Sequence, residues 1–557
     1  MRRTLICIMA ALAWCAAQAQ PGWVKKAAKA VFTLKTFDAD GNLIASSNGF
    51  FVGEQGEALS SFAPFKGAAR AVVIDTKGNE MSVASIIGAN STYDVAKFRV
   101  EAKSTAPLAI AAANAAEGSA VWLLPYSTKK LPDCIEGRVS KIETFQGSYA
   151  YYTVGMKGIE NSVSCPLFNA NGEVIGLMQQ PVDAKDTTNY AVSAAFANSL
   201  KTNGLSINDA TLNSTSIKKE LPDELNQAVL TLYVAGSVLD SAAYAATVND
   251  FIAKFPNAAD GYISRAQLSV GAQDYAAAEA DMQQAIKVAD KKDDAHFNYA
   301  KLMYQKLMFA DAKPYDKWTF AAAAAEARAA YDINKVSLYR QLEAQIRFAQ
   351  KRYDEAYSIY TELLGGDMRN AETYFAAARC KEMMSDTTAM LALLDSAVNT
   401  FSKPYLKSAA PYILARAQAL LSMKEYRKAV VDFNEYEKLM PTEVNANFYY
   451  IRARAEIDGH IYQAALNDLA TAIGKDPKNT LYYCEKASLE IRVNLFDDAI
   501  KTAGQCIAVD PKLGEGYMFL GLAQCLKGDK ATGRQNLQKA KDLGDTQAQE
   551  LIDKYAN

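Results

Sequence analysis

The stretch AALNDLATAIGKDP, residues 464–477, decides the fold of the C-terminal part of this chain. About 34 residues later the pattern returns as DDAIKTAGQCIAVDP, residues 497–511. Each unit has an aromatic residue near its start, small residues where two helices would cross and a proline at its end. These residues are Tyr449, Ala453, Ala465, Ala472 and Pro477 in the first unit and Tyr483, Ala487, Ala499, Cys506 and Pro511 in the second. Because small residues let antiparallel helices approach closely, the period predicts stacked helix pairs.

The repeating unit resembles the tetratricopeptide repeat (TPR), which has small residues at these offsets and a proline near the end of each unit. Weaker copies of the pattern occur on both sides, from Phe255 and Pro256 upstream to Leu537 and Ala540 downstream. Across residues 223–557 we expect about eight or nine helix pairs. Since no pair can bury its apolar stripe alone, the resemblance implies an all-α superhelical solenoid.

The TPR resemblance also implies a concave groove lined by the first helix of each pair. The groove-facing offsets hold Asn447, Tyr450, Arg454, Ile457, Asp458, Leu481, Ser488, Ile491, Arg492, Gln341, Gln345 and Phe348. Arg454 and Arg492 would bind carboxylates of a partner, and the tyrosines would supply amphipathic contact area. Each position taken alone also fits solvated surface or packing between repeats. The groove as a whole favours binding of a protein or peptide.

Before the repeats, residues 20–201 change from a helical to a strand-like period. The strand candidates are residues 31–36, 49–52, 71–74, 120–124, 150–154 and 174–177. The turn residues 38–42 between the first two predict a β-hairpin. A calcium loop is the alternative there, but its first and last ligand positions would be Thr36 and Ser47. We expect an all-β domain over residues 20–201, followed by a polar linker over residues 202–222.

Three segments of this β-domain resemble, in order and spacing, the trypsin-like serine proteases of the HtrA type. They are SNGFFV (residues 47–52) with GEALSSFAPF (56–65), STYDVAKF (91–98), and NSVSCPLFN (161–169) with GEVIGL (172–177). The resemblance implies a double β-barrel. It places Ala63 at the position of the catalytic histidine, Asp94 at that of the aspartate and Val163 at that of the nucleophilic serine. The glycine pair that shapes the oxyanion hole becomes Ser164 and Cys165.

The catalytic base has no candidate in the β-domain, because the chain's two histidines, His296 and His460, both lie in the helical region. A serine hydroxyl needs a neighbouring base to attack a carbonyl, so this domain is expected to be a pseudoprotease. Ser162 is the alternative nucleophile if the match shifts by one residue. A serine–lysine pair with Lys157 and a Cys165 thiolate are two further alternatives, neither with an evident activating group. A third is a base supplied from the helical region by His296 or His460, which sit among ordinary repeat residues.

The first 19 residues have the pattern of a signal peptide, with Arg2 and Arg3 before an apolar run and Ala17-Gln18-Ala19 as the cleavage site. A lipoprotein signal ending at Cys15 is the alternative, although Trp14 is too large for the position before a lipidated cysteine. We therefore expect an exported protein of the periplasm or outer envelope. No later stretch is apolar and long enough to span a bilayer, which leaves peripheral association with the envelope.

Composition narrows the function classes. The formal net charge is −2, so a nucleic-acid partner is not expected. Beyond residue 19 the cysteines are Cys134, Cys165, Cys380, Cys484, Cys506 and Cys525. Their spacings match neither a zinc site nor a CxxC redox pair, so buried free thiols are expected, with a Cys134–Cys165 bridge as the alternative. No metal or cofactor is predicted.

These patterns together favour a non-catalytic exported adaptor or scaffold. Its TPR groove and its pseudoprotease domain would bind protein partners, in a role such as assembly of envelope complexes. One alternative is an active serine endopeptidase with an atypical base, whose TPR groove recruits substrates. Another is that the β-domain serves only as a stabilising cap on the solenoid.

Overall fold

The computed structural model describes residues 20–145, 149–158, 160–179, 187–309 and 311–556. The expected signal peptide, with Cys15, lies outside the described residues. The chain divides into two compact units between Ala289 and Asp290. The first unit contains two β-barrels and four long helices, whereas the second is all-α. The sequence had predicted a domain boundary earlier, at residues 222–223.

The first barrel is a closed antiparallel sheet in the order β1-β2-β3-β6-β5-β4. Its strands are β1 (Val31–Phe37), β2 (Leu43–Phe51), β3 (Glu57–Ser60), β4 (Arg70–Ile74), β5 (Glu80–Asn90) and β6 (Val95–Val100). The predicted hairpin joins β1 to β2. There the Asp38 carboxylate accepts a hydrogen bond from Asn42 N at 2.8 Å, and Gly41 takes φ +86°, a left-handed conformation that glycine adopts without strain.

The second barrel is also closed and antiparallel, in the order β10-β11-β12-β9-β8-β7. Its strands are β7 (Ala120–Leu123), β8 (Ile135–Phe145), β9 (Tyr149–Gly155), β10 (Pro166–Phe168), β11 (Val174–Met178) and β12 (Thr188–Ser193). The predicted all-β double barrel is therefore confirmed. Each of the six strand candidates from the sequence falls on a strand.

Aromatic side chains fill the first barrel. Phe32, Phe50, Phe62, Phe65 and Phe98 are all fully buried there. The Phe65 and Phe98 ring centroids lie 5.1 Å apart, a separation typical of favourable aromatic pairs. This rigid interior holds the loops at the barrel ends in place.

The segment expected to be a linker is packed against the first barrel instead. Gly67 N donates to Ser214 O at 2.7 Å, and Ile86 N donates to Lys218 O at 2.8 Å. Ile217 is buried in the core of this barrel. The polar composition of this segment predicts an unpacked linker. Composition does not reveal the packing, because backbone groups rather than side chains make most of these contacts.

Charged groups fix the end of the same segment. The Arg99 guanidinium on β6 donates to both carboxylate oxygens of Glu220, each at 2.8 Å, and Nη1 donates to Glu57 at 2.9 Å. These hydrogen bonds raise the pKa of Arg99. A bidentate pair of this kind adds geometric specificity as well as energy.

Nineteen long helices follow in the described chain. Those of the first unit are α1 (Leu225–Val238), α2 (Ser241–Lys254), α3 (Ala259–Gly271) and α4 (Tyr275–Val288). Those of the second unit are α5 (Lys292–Met308), α6 (Phe320–Ile333), α7 (Ser337–Ala349), α8 (Tyr353–Leu364), α9 (Ala371–Met383), α10 (Thr387–Asn399), α11 (Ala410–Ser422), α12 (Tyr426–Leu439), α13 (Ala446–Asp458), α14 (Tyr462–Lys475), α15 (Thr480–Arg492), α16 (Phe496–Val509), α17 (Gly514–Lys527), α18 (Lys530–Asp542) and α19 (Ala548–Tyr555). They form nine pairs and one final helix, at the upper end of the predicted number.

Shorter helical turns occur at Val24–Ala27, Ala28–Ala30, Ala63–Phe65, Phe196–Ser199, Ser206–Asn208, Leu212–Ser214 and Lys407–Ala409. None of the helices in the described ranges is long and apolar enough to cross a membrane.

An arginine–aspartate ion pair recurs inside the helix pairs. Arg452 on α13 donates to both oxygens of Asp468 on α14, at 2.6 and 2.9 Å. Arg416 and Asp432 form the same bidentate contact between α11 and α12, at 2.7 and 2.8 Å. In the first unit Arg265 and Asp281 repeat it between α3 and α4. The two residues are always 16 apart in sequence, so this pair is a repeated structural clamp.

The cysteines of the described chain are all free thiols, and the alternative bridge between Cys134 and Cys165 is not formed. All but Cys134 are buried. Cys484 and Cys506 place their Sγ atoms 3.6 Å apart between α15 and α16. The prediction of buried free thiols agrees with these positions.

Candidate functional site

A cleft of about 1010 Å³ in the first unit is lined by residues of both barrels, and we call it the interbarrel cleft. Its lining is Thr33, Ala45, Ser46, Ser47, Asn48, Ser61, Ala63, Pro64, Asp94, Pro125, Tyr126, Ser127, Lys129, Asp133, Ile135, Glu160, Asn161 and Val163. The three positions implied by the protease resemblance, Ala63, Asp94 and Val163, thus lie in one cleft. A buried core in each barrel holds the loops that carry them.

Asp94 and Ala63 are in direct contact. Asp94 sits in the turn between β5 and β6 with φ +52°, and its Oδ1 accepts a hydrogen bond from Ala63 N at 2.6 Å. Ala63 begins a short helical turn after β3, and its methyl group is exposed in the cleft. The carboxylate is therefore beside the position of the base, but the side chain there cannot transfer a proton.

The loop at the nucleophile position is a tight turn, in which Cys165 N donates to Ser162 O at 3.1 Å. Val163 and Ser164 are its central residues, and Ser164 has φ +65°. A side chain in this left-handed region costs about 1–2 kcal/mol, which the glycine of the protease pattern would avoid. The turn must therefore be stabilised by other contacts.

Three serines from separate segments supply those contacts, and we call them the serine cluster: Ser47, Ser61 and Ser164. The Ser164 hydroxyl oxygen lies 2.7 Å from Ser61 Oγ and 3.1 Å from Ser47 Oγ, and it accepts a hydrogen bond from Ser61 N at 3.1 Å. Ser61 and Ser164 are buried. Because these hydroxyls bond one another, the cluster ties the turn of the second barrel to β2 and β3 of the first.

Asn48 on β2 makes a second tie to the same turn. Its Nδ2 donates to Asn161 O at 2.7 Å and to Val163 O at 3.2 Å. Sequence reasoning missed both Asn48 and the serine cluster, because the partners are more than 100 residues apart in the chain. The only indication in the sequence is that these residues lie within the protease-like segments.

The alternative nucleophiles are poorly placed for attack. Ser162 is only 4% exposed, whereas Lys157 is exposed to solvent. Cys165 is fully buried, and burial raises the pKa of its thiol to about 12, so the thiolate is scarce at neutral pH.

Ionisable side chains in the cleft are mostly acidic. The lining contains three carboxylates, those of Asp94, Asp133 and Glu160, and one lysine, Lys129. Lys129 forms an ion pair with Asp133 at 2.9 Å. Tyr126 donates its hydroxyl to Asp75 O at 2.9 Å, and its pKa is raised by burial. None of these groups is an imidazole, the base that the serine-protease mechanism uses.

Both histidines belong to the second unit and have partners there. His296 Nδ1 lies 2.5 Å from Glu326 Oε2, and His460 Nδ1 lies 2.8 Å from the Tyr462 hydroxyl. The described residues also contain no group of three or more histidine, cysteine or acidic side chains suited to a metal ion.

The predicted groove residues differ in exposure. Asn447, Arg454, Asp458, Ser488 and Arg492 are exposed, as is Leu481, whereas Tyr450, Ile457, Ile491, Gln345 and Phe348 are half-buried. Gln341 is only 8% exposed, so its side chain packs inside the α7 region rather than facing a partner. Glu343, two residues later on α7, is likewise buried.

The two groove arginines already have partners within the second unit. Arg454 Nη1 donates to Glu485 at 3.2 Å and lies 3.3 Å from the Tyr450 hydroxyl. Arg492 donates to the Tyr462 hydroxyl at 3.2 Å and stacks over its ring at 5.1 Å. Both are weaker candidates for binding a partner's carboxylate than the sequence suggested.

Comparison with known proteins agrees with the two architectures. Residues 47–177 match the trypsin-like peptidase domain family. The chain is 26% identical over 122 residues to the small glutamine-rich tetratricopeptide repeat-containing protein 2 of Saccharomyces cerevisiae, which covers 22% of this chain and 35% of the relative. It is 23% identical over 235 residues to the DnaJ homolog subfamily C member 7 homolog of Dictyostelium discoideum, which covers 39% of this chain and 42% of the relative.

Among solved structures, the chain is similar to the active form of the Rv3671c protease from M. tuberculosis, with 16% identity and a TM-score of 0.29 over 36% of this chain and 86% of that chain. The chain spans less than half the length of the two curated relatives that it matches. It combines a trypsin-like peptidase domain with a C-terminal helical region similar to TPR proteins.

Proposed function

We propose that this protein is a non-catalytic adaptor that binds protein partners through its helical region and its interbarrel cleft. The observation that carries the proposal is Ala63, which stands beside the Asp94 carboxylate where the protease pattern requires a histidine. No histidine occurs in the first unit. Without a base, a hydroxyl nucleophile of ordinary pKa attacks a carbonyl too slowly to support turnover.

Two features support partner binding. The helical region is similar to TPR-containing proteins, and stacked helix pairs present extended surfaces suited to peptides. In the first unit, the cleft is large enough for an extended segment, and β2 lines one of its walls. Such a segment would bind by strand addition, without being cut, along the part of β2 before Phe50, which pairs with β1 but not with β3.

The proposed location is the periplasm or outer envelope, where the protein would assemble or hold envelope complexes as a scaffold. This part of the proposal rests on the signal-peptide pattern of residues 1–19. The near-neutral charge gives no electrostatic reason for a nucleic-acid partner.

The test is purification of the tagged full chain from its native envelope after crosslinking, followed by mass spectrometry of the associated proteins. A chain that ends at Ala289, where the first unit ends, is the matched control. We expect a stoichiometric partner that is lost with residues 290–557. Accumulation of cleaved peptides without any associated partner would contradict the proposal.

A further inference from the structure

Two neighbouring cavities lie in the second unit, and both differ in lining from the interbarrel cleft. The first, which we call the aromatic cavity, has a volume of about 340 Å³ and is lined by Tyr304, Gln345, Phe348, Tyr360, Ala376 and Arg379. The second, which we call the aliphatic cavity, measures about 280 Å³, and its apolar wall includes Phe375, Met390, Leu394 and Ala419. Each is large enough to admit one large apolar side chain.

Arg379 on α9 lines both cavities. Its side chain is exposed, and its guanidinium lies 5.4 Å from the centre of the Phe348 ring. Within the described part of the chain no carboxylate lies within ion-pair distance of it. Arg340 and Arg416, in contrast, each contact two carboxylates. Arg379 is therefore an exposed cation on the wall of both cavities, open to a ligand.

We propose that these cavities bind an extended segment of a partner protein that carries one acidic residue between two apolar residues, an inference that rests on the proposed adaptor function. The partner's aspartate or glutamate forms a charge-assisted pair with the Arg379 guanidinium. Large apolar side chains two residues before and two residues after that acid enter the aromatic and aliphatic cavities. The spacing follows from the extended chain, in which alternate side chains share one face and successive residues advance about 3.3 Å.

Two further polar residues in the lining restrict which peptide sequences would bind. Glu382, one turn after Arg379 on α9, lines the aliphatic cavity and disfavours a second acidic residue there. Gln345 lines the aromatic cavity and offers an amide to the peptide backbone. The site thus selects a single acid between two apolar residues rather than a run of acids.

The test is selection from a displayed library of random linear peptides on the full chain, followed by affinity measurement on one enriched peptide and its twin with the acid changed to the amide. We expect enriched peptides to carry one acid with apolar residues at both two-residue positions. The Arg379→Gln variant should bind the acidic peptide about ten-fold more weakly and the amide twin unchanged. Arg534→Gln is the matched control, because Arg534 is exposed on α18 and lines neither cavity.

A second variant tests the cavities themselves. Ala376→Phe would fill part of the aromatic cavity and should weaken both peptides equally, without removing the charge. Enriched peptides that bind Arg379→Gln as tightly as the unaltered chain would overturn this inference and leave the adaptor function standing. Peptides with basic or purely apolar sequences, or no enrichment at all, would also overturn it. The adaptor function fails separately, if no partner co-purifies with the full chain and cleaved peptides accumulate instead.

Discussion

The interbarrel cleft and the two helical cavities use their polar side chains in opposite ways. At the cleft, Asn48 and Asp94 in its lining and Ser164 just beneath it all form hydrogen bonds with other parts of the first unit. In the helical cavities, Arg379 keeps its charge without a carboxylate partner among the described residues. A polar group with internal partners stabilises the fold, whereas an open charge is available to a ligand. Substitutions in the cleft should therefore change stability, and substitution of Arg379 should change binding alone.

The largest effect is expected where a clamp with internal partners is broken. Arg452→Ala would leave Asp468 buried without its cation, and loss of one partner of a buried pair costs about 3–5 kcal/mol. The measurement is denaturant unfolding followed by circular dichroism. Arg454→Ala is the matched control two residues away, because its exposed pair with Glu485 should contribute at most about 1 kcal/mol. Equal losses from the two variants would break the comparison.

The next effect concerns the missing base. In the Ala63→His/Val163→Ser variant, the new imidazole would stand beside Asp94, whose carboxylate already contacts the backbone at residue 63. General base catalysis contributes about 10²-fold or more, so the double variant should react with a fluorophosphonate about 10²-fold faster than Val163→Ser alone. The measurement is the rate of adduct formation by intact mass. Equal rates in the two variants would show that the cleft no longer holds the geometry of a triad.

A third expectation concerns pH. Glu456 on α13 is 3% exposed, and burial, together with the nearby Asp468 carboxylate, raises its pKa to about 8. The folded state then holds a proton that the unfolded state releases above pH 4.5, so stability is full below pH 4.5 and falls as pH rises towards about 8. Glu456→Gln should remove this slope and stabilise the protein by on the order of 2 kcal/mol above pH 8.

Unfolding curves at several pH values would measure this slope. Asp458→Asn is the control, since Asp458 is exposed on the same helix. A slope that persists in Glu456→Gln would assign the pH dependence to another group.

The smallest expected effect distinguishes the contribution of the Ser164 hydroxyl from that of its positive φ. Ser164→Ala removes the hydroxyl that Ser47 and Ser61 share, and a lost buried hydrogen bond costs about 1–3 kcal/mol. Ser164→Gly loses the same hydroxyl but relieves the positive φ, so it should be about 1 kcal/mol more stable than Ser164→Ala. Denaturant midpoints of the two variants measure the difference. If Ser164→Gly is the less stable, the turn is not strained by its side chain.

Much of the fold was predictable, because periodicity depends on local sequence. The repeat at residues 464–477 predicts the helix pairs, and the alternating residues of β1 predict a strand. The segment 202–222 was misjudged because its packing depends on backbone bonds to Gly67 and Ile86, which composition does not reveal. The arginine and the aspartate of each recurrent clamp are a fixed number of residues apart in the sequence. Only the structure shows that their side chains are in contact.

The candidate site was predictable where a motif carried it and otherwise not. Ala63, Asp94 and Val163 lie together in the cleft as the protease resemblance implied. The sequence favours Arg454 and Arg492 as residues that bind a partner. It does not show that Arg454 donates a hydrogen bond to Glu485 and Arg492 one to Tyr462. Arg379 was missed for the same reason, since an unpaired charge is recognised only when its neighbours are known.

The central claim, that the cleft does not catalyse peptide hydrolysis, is tested most directly by treating the unaltered full chain with a fluorophosphonate and mapping any adduct by peptide mass spectrometry. Active trypsin serves as the reagent control, and the heat-denatured chain shows the background. The account predicts no adduct above background on Ser162, on Ser164 or on any serine that lines the cleft. A stoichiometric adduct on one of these serines in the folded chain, abolished by heating, would contradict it.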